Sequence, residues 1–488
     1  MEAAATAGRV PAPLPAVVYE REPGAASRPL PPGYRRREPE QTVLHAVVRE
    51  HLETFLADAR AASPSGAGYP AFVEKELRRY LSCGLLPNAF ARLRCPKCGA
   101  ERLVPGACHG RLCPSCSGRR MADTAAHLVD RVLPAVPYRQ WVLTFPWPLR
   151  LPLARDAAFL SAALGLFRRT LFAWQRRRGR DQGIADGHPG AITFLQRFGS
   201  ALNLHPHCHT LTPDGLFVGD PAPGARLEFV ALPPPTDDDV AFLATRLVQR
   251  LAALLERRRA ASDDDLPPDD DEQAHLHAAL AQATWVPRDA TAAVLPADAL
   301  RKPLCASVDG LNLHAARAVA ADDREGLEQL CKYGLRAPFA VDRFFRDPDG
   351  RVGYRLPKPW PNPQGCTELH LEPQALLRRL AALLPPPYFN LVRYSGVFAN
   401  RSRYRICLPP PPLPEGTPAS EPAADPPPVR PRRLPWAQLL RRTLEVDALT
   451  CWRCGVPMVV LAFLTDPSVV TYYSSVDLLL LIWSIRLV

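Results

Sequence analysis

The sequence predicts an α+β fold with an N-terminal helical and zinc-binding module. Residues 191–198 and 204–212 have strand composition, and the turn residues between them predict a β-hairpin. Several other segments carry apolar residues at helical spacing. Two Cys-Pro-x-Cys pairs near the N-terminus have the spacing of a metal site.

The N-terminal part divides into an arm and a module. Residues 1–40 are rich in Pro, Ala and Arg and lack periodicity, so we expect a disordered arm. Residues 41–133 should form the helical and zinc-binding domain. The apolar spacing predicts its helices at residues 42–61, 72–81 and 117–133.

Residues 134–408 are expected to form the main α+β domain. Around the hairpin, we expect strands at 140–145 and 227–232 and helices at 156–178, 237–259 and 322–336. An acidic, proline-broken stretch at about 260–273 should be a flexible insertion. Residues 409–435 should be a proline-rich linker, and 436–488 a small C-terminal segment with an apolar tail.

The two cysteine pairs predict one structural zinc site. The pairs are separated by fourteen residues, and four thiolates can hold Zn²⁺ tetrahedrally. The metal would stabilise a segment too short to gather a core of its own. The predicted ligands are Cys95, Cys98, Cys113 and Cys116. Cys108 and His109 lie between the pairs and are alternative ligands, although we expect them to be unligated.

A second metal site is predicted in the hairpin. His207 and His209 flank one residue of a strand, so both imidazoles point to the same face and can bind a divalent cation. If position 196 pairs with 207, Gln196 could supply a third, oxygen ligand. The alternative is a pair of ordinary surface or core histidines.

Tyr333 is the candidate nucleophile. It lies near the end of the helix predicted at 322–336, and a phenol beside a bound cation can attack a phosphodiester. Lys332 and Arg336 flank it as possible phosphate clamps. Without the histidine pair, Tyr333 would be read as a packing residue.

The charge balance points to an anionic partner. The formal net charge is +11, and only five of the 60 basic residues are lysines. Because arginine binds phosphate through a bidentate fork, nucleic acid is the first candidate partner. A GC-rich genome is the alternative source of the arginines. We see neither a signal-like leader nor an apolar run of membrane-spanning length, so we expect a cytoplasmic protein without a membrane partner.

Three motifs carry a resemblance to a known family. They are Trp141-Val-Leu-Thr-Phe-Pro146, the segment from Gln196 to Leu211 with Asp214-Gly-Leu-Phe217 after it, and Leu330-Cys-Lys-Tyr-Gly-Leu-Arg-Ala-Pro338. In this order, and with the cysteine segment before them, they resemble the rolling-circle insertion-sequence transposases of the IS-ninety-one family. The resemblance runs from about residue 40 to residue 470.

The resemblance implies an HUH nuclease, with an antiparallel sheet flanked by helices. His207 and His209 would hold Mg²⁺ or Mn²⁺, and Tyr333 would cut one DNA strand. The products would be a 5′-phosphotyrosine and a free 3′-hydroxyl that primes replication. The partners would be single-stranded element ends and target DNA, in a bacterial, nucleoid-associated protein.

Two departures from the family pattern bear on activity. Cys208 stands where a larger apolar residue is usual, and Gln329 stands where two-tyrosine members have their other tyrosine. A single-tyrosine variant is therefore implied. With one nucleophile, a second subunit or release of the enzyme would be needed, so the oligomeric state stays open.

The C-terminus leaves further alternatives. Cys451 and Cys454 form half of a zinc site, which we expect to be unoccupied unless it dimerises or borrows other cysteines. From Thr471 onward the sequence does not resemble the family. A frameshifted or truncated gene would explain this difference. A catalytically inactive DNA-binding remnant, a plasmid-type replication initiator and a small-molecule metal hydrolase remain as alternative functions.

Overall fold

The computed structural model describes residues 36–222, 224–261, 271–283, 302–359, 365–411 and 449–465. Most of the expected arm, the centre of the acidic insertion, the linker from residue 412 and the tail from residue 466 lie outside the described residues. The helices are α1 Val43–Ala61, α2 Ala71–Ser82, α3 Pro114–Arg131, α4 Arg150–Arg155, α5 Ala157–Asp181, α6 Asp237–Ala261, α7 Asp271–Ala283, α8 Arg324–Leu335 and α9 Pro373–Leu383.

The strands occur singly or in runs of two to five between and after these helices. They are β1 Phe90–Arg94, β2 Glu101–Pro105, β3 Tyr138–Thr144, β4 Gly187–His188, β5 Gly190–Phe198, β6 Leu204–Pro213, β7 Gly215–Val218, β8 Glu228–Ala231, β9 Cys305–Val308, β10 Leu311–Val319, β11 Phe344–Arg346, β12 Val352–Arg355, β13 Glu368–Leu371, β14 Val392–Gly396 and β15 Val459–Leu464. The helices and strands that the sequence predicts are all present, with ends shifted by a few residues.

Short polar side chains begin three of the helices. Thr42 accepts a hydrogen bond from the amide of His45 at the start of α1, and Asp156 accepts two at the start of α5. Asp323 does the same for α8, where its carboxylate accepts from the amide of Gly326 at 2.8 Å. Such caps satisfy amides that lack a partner in the first turn of a helix.

A six-stranded antiparallel sheet forms the centre of the main domain. Its strand order is β14-β5-β6-β3-β10-β9, so the predicted hairpin β5–β6 lies inside the sheet. One face packs on α5 and α6 around Trp141 and Leu195. The other face packs on α3 and α8 around Tyr138 and Phe194. Alternate residues of each strand therefore enter two different layers.

Three smaller sheets accompany the central one. Their strand orders are β15-β1-β2, β11-β12-β13 and β4-β7-β8. The helices α1 and α2 share an apolar core with α9 and with β11–β13, so the core of the N-terminal helices extends beyond residues 41–133. The architecture confirms the α+β prediction of antiparallel sheet flanked by helices. Within the described residues, no helix is both long enough and apolar enough to cross a bilayer.

A buried ion pair links the central strands. Arg139 of β3 donates to both carboxylate oxygens of Asp214, at 2.9 and 2.7 Å, and to the carbonyl of Ala315 on β10 at 2.9 Å. Burial raises the pKa of Asp214, although the Arg139 charge acts against that shift. The guanidinium therefore compensates a carboxylate that has little access to water.

Replacing Arg139 with Met should destabilise the protein by about 3–5 kcal/mol, because Asp214 would keep its burial and lose its partner. The midpoint of urea denaturation measures this. As a control, the exposed Arg355, which pairs with Glu368 on the neighbouring strand, is changed to Ala and should leave the midpoint unchanged. Equal shifts in both variants would contradict the argument.

Candidate functional site

The hairpin register places two imidazoles on one face of the central sheet. Gln196 pairs with His207 across β5 and β6, as the sequence predicts, and Phe194 pairs with His209. The turn closes with the amide of Gly199 donating to the carbonyl of Asn203 at 2.8 Å. The intervening Cys208 is buried on the opposite face with α5 and α6.

The ring of His207 is held in one tautomer. Its Nδ1 lies 2.7 Å from the carbonyl oxygen of His205, and because a carbonyl only accepts, Nδ1 carries the proton. The lone pair therefore resides on Nε2. The rings of His207 and His209 are 5.1 Å apart between centroids, at an angle of 68°. A fixed tautomer is the usual arrangement of a histidine ligand.

Burial keeps the imidazoles uncharged. It lowers the pKa of His207 to about 4 and those of His205 and His209 to about 3. The positive charges of Arg336 and Arg150 also act to lower the pKa of His207. Since cations bind the neutral ring, these side chains have lone pairs available at neutral pH.

The polar atoms around the pair fit a bound cation. Both ring nitrogens of His209 and Oε1 of Gln196 are buried and have no hydrogen-bond partner among the described residues. Such atoms are destabilising unless water or an ion satisfies them. Within the described part of the chain, the converging groups of three or more His, Cys, Asp or Glu side chains are made of cysteines. A cation at this pair would therefore have to take any further donor from an amide, water or a substrate oxygen.

Gln196 also connects the sheet to the helix that carries Tyr333. Its amide nitrogen donates to the carbonyls of Tyr333 at 2.8 Å and Gly334 at 3.1 Å. These donations leave Oε1 as the unpartnered atom. At Gly334 the helix touches the sheet, since a Cβ there would lie 2.5 Å from Cδ2 of Phe194. A glycine permits this close approach.

The approach of α8 brings Tyr333 to the histidines. Its ring lies edge-on to His209 with 5.2 Å between centroids, and the residue is 48% exposed. The guanidinium carbon of Arg336 lies 4.8 Å from the centre of the Tyr333 ring. Lys332 forms an ion pair with Glu328 at 2.9 Å. Of the two predicted phosphate clamps, Arg336 is the one in contact with Tyr333.

Two residues of this site escaped the sequence analysis. His205 stacks on His207 with 4.9 Å between centroids, and its Nε2 is buried without a partner among the described residues. The two-residue period of β6 could have identified it. Arg150 begins α4, and its charge acts on both His205 and His207. No pattern in the sequence signals its position, because α4 packs on β6 from 50 residues away.

A cavity of about 400 Å³ adjoins the histidine face. Its lining includes Gln196 and Arg336 together with the apolar side chains of Leu384 and Phe389. The lining also includes Arg111 of the cysteine segment and Arg120 of α3. Arginines from the N-terminal module thus converge with the face that carries Gln196.

The cysteines group differently from the prediction. Cys113 and Cys116 belong to one cluster with Cys83 and Cys108, whereas Cys95 and Cys98 belong to another with Cys451 and Cys454. The predicted set of Cys95, Cys98, Cys113 and Cys116 is therefore wrong. The strands β1 and β2 form a hairpin with Cys95 and Cys98 at its turn. The hairpin separates this pair from Cys113 and Cys116 at the start of α3.

The first cluster is built where three elements meet. Cys83 ends α2, Cys113 caps α3 and Cys116 lies in its first turn. The Cys83 sulfur lies 3.4 Å from that of Cys113 and 3.6 Å from that of Cys116. Cys108, which we expected to be unligated, completes the group at 3.6 Å from Cys116. A helix N-terminus favours thiolates, the form that binds metal.

His109 takes no part in that cluster. It adopts a positive φ of 55°, and its carbonyl accepts a hydrogen bond from Arg120 at 2.9 Å. Glu76 of α2 holds the same loop, since its carboxylate accepts from the amides of Arg111 and Leu112. The loop is thereby fixed by polar contacts as well as by its cysteine.

Comparison with known families agrees with both parts of this description. Residues 190–405 match the family described as "Putative transposase", Y2_Tnp, and residues 47–145 match the "Transposase zinc-binding domain" of the IS91 type. The chain belongs to the IS-ninety-one transposase family. No curated protein and no solved structure matches the chain.

Each of the two matches contains one of the sites described above. The transposase match contains the histidine pair and Tyr333, and the zinc-binding match contains the whole first cluster. The N-terminal module is thus a zinc-binding domain in which Zn²⁺ has a structural role. The second cluster reaches beyond both matches, because Cys451 and Cys454 lie after residue 405.

Gly334→Ala should lower the free energy of unfolding by about 1–3 kcal/mol, because the new methyl group would overlap Phe194 and push α8 from the sheet. Urea denaturation measures the loss. The control is Gly118→Ala in α3, where nothing lies within 4 Å of the added Cβ and a neutral or small stabilising effect is expected. A neutral Gly334→Ala would show that the close approach is unimportant.

Proposed function

We propose that this transposase is a metal-dependent single-strand DNA endonuclease and strand transferase with Tyr333 as its nucleophile. It would cut one strand at an element end, retain the 5′ end as a phosphotyrosine and release a 3′-hydroxyl that primes rolling-circle replication. Membership of a transposase family implies DNA as the partner. The choice of single-stranded DNA and the covalent step are part of the proposal.

The observation that carries the proposal is the contact between Tyr333 and His209. Two residues 124 positions apart meet ring to ring at 5.2 Å, and the tyrosine keeps nearly half of its surface exposed. A tyrosine that merely filled the core would be buried. An exposed phenol beside the uncharged ring of His209, whose nitrogens have no partner among the described residues, is the arrangement that a phosphodiester and a cation can approach together.

The chemical step exchanges one phosphate ester for another. The phenolic oxygen of Tyr333 attacks the phosphorus, its proton passes to water, and the bond to the 3′ oxygen breaks. The leaving 3′ oxygen takes up a proton and becomes the free hydroxyl. Because one ester replaces another, the reverse attack by a 3′-hydroxyl can rejoin the strand at a target. No oxidant or nucleotide cofactor is required.

His207, His209 and the oxygen of Gln196 are the proposed ligands of Mg²⁺ or Mn²⁺. What a bound cation supplies here is polarisation of the phosphate and compensation of the charge that develops on its oxygens. The chain prepares the site by fixing the His207 tautomer and by keeping both rings uncharged. Gln196 has two roles, since the same side chain holds the end of α8.

Arg336 is the proposed phosphate clamp beside the nucleophile. Its guanidinium lies against the rings of Tyr333 and Phe198, and its Nε is buried without a partner among the described residues. Arg150 supplies a second positive charge near the histidines. Lys332 is the weaker candidate because Glu328 already neutralises its ammonium group.

We further propose that the DNA strand passes over the cavity next to Gln196. A cavity lined by both apolar side chains and arginines suits an unstacked base and its phosphate. Arg111 and Arg120 would bring the zinc-binding module into contact with the same strand. A duplex keeps its bases stacked and could not use such a cavity without opening.

Tyr333→Phe should abolish formation of an SDS-stable adduct between the protein and a labelled single-stranded oligonucleotide that carries an element end. The ring and its packing remain, whereas the nucleophilic oxygen is lost. Denaturing gel electrophoresis after incubation with Mg²⁺ or Mn²⁺ measures the adduct. The substitution should leave the gel shift of the oligonucleotide intact.

The matched control for this loss is Tyr388→Phe. Tyr388 is 98% exposed and is not among the residues that line the cavity beside Gln196, so its adduct yield should equal that of the wild type. An adduct that persists in Tyr333→Phe would refute the assignment of the nucleophile. An oligonucleotide that is bound but never cleaved by the wild type would instead support an inactive DNA-binding remnant.

His207→Ala and His209→Ala should each slow cleavage by at least about 100-fold, because the lost cation contribution is worth several kcal/mol. Mn²⁺ binding, followed by electron paramagnetic resonance, should weaken in the same variants while the zinc content stays constant. His370→Ala, which removes an exposed histidine of β13, is the control and should alter neither property. Cleavage that survives both site substitutions would remove the metal from the mechanism.

A further inference from the structure

Four cysteines from opposite parts of the chain meet, and two of them lie outside the matched zinc-binding domain. Cys95 and Cys98 follow β1, and Cys451 and Cys454 precede β15, more than 350 residues later. The Cys95 sulfur lies 3.4 Å from that of Cys454, and the Cys98 sulfur lies 3.5 Å from that of Cys451. All four sulfurs lie within 4.8 Å of one another.

These separations fit metal ligands better than disulfides. Thiolates at the corners of a tetrahedron with Zn–S bonds of about 2.3 Å are about 3.8 Å apart. A disulfide would require about 2.05 Å between sulfur atoms. The cysteines are free, and each sulfur contacts the pair that belongs to the other segment.

Both pairs also adopt the same backbone turn. The amide of Cys95 donates to the carbonyl of Ala100, and the amide of Gly99 donates back to the carbonyl of Cys95. The second segment repeats both bonds, from Cys451 to Val456 and from Gly455 to Cys451. The two glycines have φ values of +72° and +71°. Two distant segments thus present equivalent knuckles that face each other.

The apolar core at this junction is small. Strand β15 pairs with β1 along five positions, and its buried contacts are confined to a cluster around Leu93, Cys95, Cys451 and Met458. The outward side chains Val459, Leu461 and Phe463 are at least half exposed. A core of this size gives little stability, and metal ligation is the means by which such small modules fold.

We propose that Cys95, Cys98, Cys451 and Cys454 bind a second structural zinc ion, which fastens the C-terminal segment to the N-terminal module of the same chain. Four thiolates and no oxygen ligand favour zinc, and four protein ligands leave no open position for catalysis. Binding displaces the remaining thiol protons to solvent. The inference does not depend on the chemistry of Tyr333.

The ion has a consequence for the architecture. It closes the polypeptide between residues 98 and 451, a segment that contains three of the four cysteines of the first cluster, the central sheet and α8. Removing it should free β15 from β1 and leave the rest of the fold intact, because the other described elements have cores of their own. The C-terminal segment that contains β15 would then become accessible to proteases.

The test is the metal content of the purified full-length chain after dialysis against metal-free buffer with a reducing agent. Mass spectrometry of the elements should give about two zinc ions per chain for the wild type and about one for the double variant C451S/C454S. C305S/C366S is the matched control, since neither cysteine belongs to a cluster, and it should keep both ions. C113S/C116S should also lose one ion.

Three further measurements keep the result interpretable. The one ion retained by C451S/C454S shows that the variant still folds, and limited proteolysis should cut near residue 450 in that variant before it cuts elsewhere. One zinc ion in the wild type, or two in C451S/C454S, would overturn the proposal. So would iron in place of zinc, or a disulfide between the pairs found after alkylation. A wild-type dimer that becomes monomeric in C451S/C454S would overturn the connection within one chain.

Discussion

The register between β5 and β6 is the constraint on which the histidine site depends. Because side chains alternate along a strand, a slip by one residue would turn Cys208 toward α8 and drive both imidazoles into the apolar layer beneath α5 and α6. The paired hydroxyls of Thr193 and Thr210, 3.0 Å apart, add a polar contact that fits only the observed register. The apolar residues of the opposite face thus orient the polar residues of the site.

Register alone does not bring Tyr333 to the histidines. That position comes from α8, which is held by the close approach at Gly334 and by the two hydrogen bonds from Gln196. Gln196 is the neighbour of His207 in the sheet, so one side chain relates the helix to the imidazoles. An amide suits this position because its nitrogen can hold the helix while its oxygen stays available to a cation.

The sequence predicted the features that depend on local pattern. The α+β class, the pairing of Gln196 with His207 and the helix that carries Tyr333 all follow from periods of two or 3.6 residues. Arg150 and the cavity depend on packing between distant segments, which leaves no periodic trace. The prediction of the zinc ligands failed for the same reason, since Cys-x-x-Cys spacing identifies a knuckle but not the second knuckle that shares its metal. The hairpin β1–β2 separates pairs that look adjacent along the chain.

The first cysteine cluster is linked to Tyr333 through packed helices. It fixes the N-terminus of α3, and the body of α3 packs along α8 on the face of the sheet that carries the histidines. Arg324, at the start of α8, donates to the carbonyls of Leu133 and Pro134 just after α3. Because α8 ends beside His209, the zinc-binding module supports the position of Tyr333 from behind. The packing of α3 on α8 and these two hydrogen bonds therefore connect the zinc-binding module to the helix that carries Tyr333.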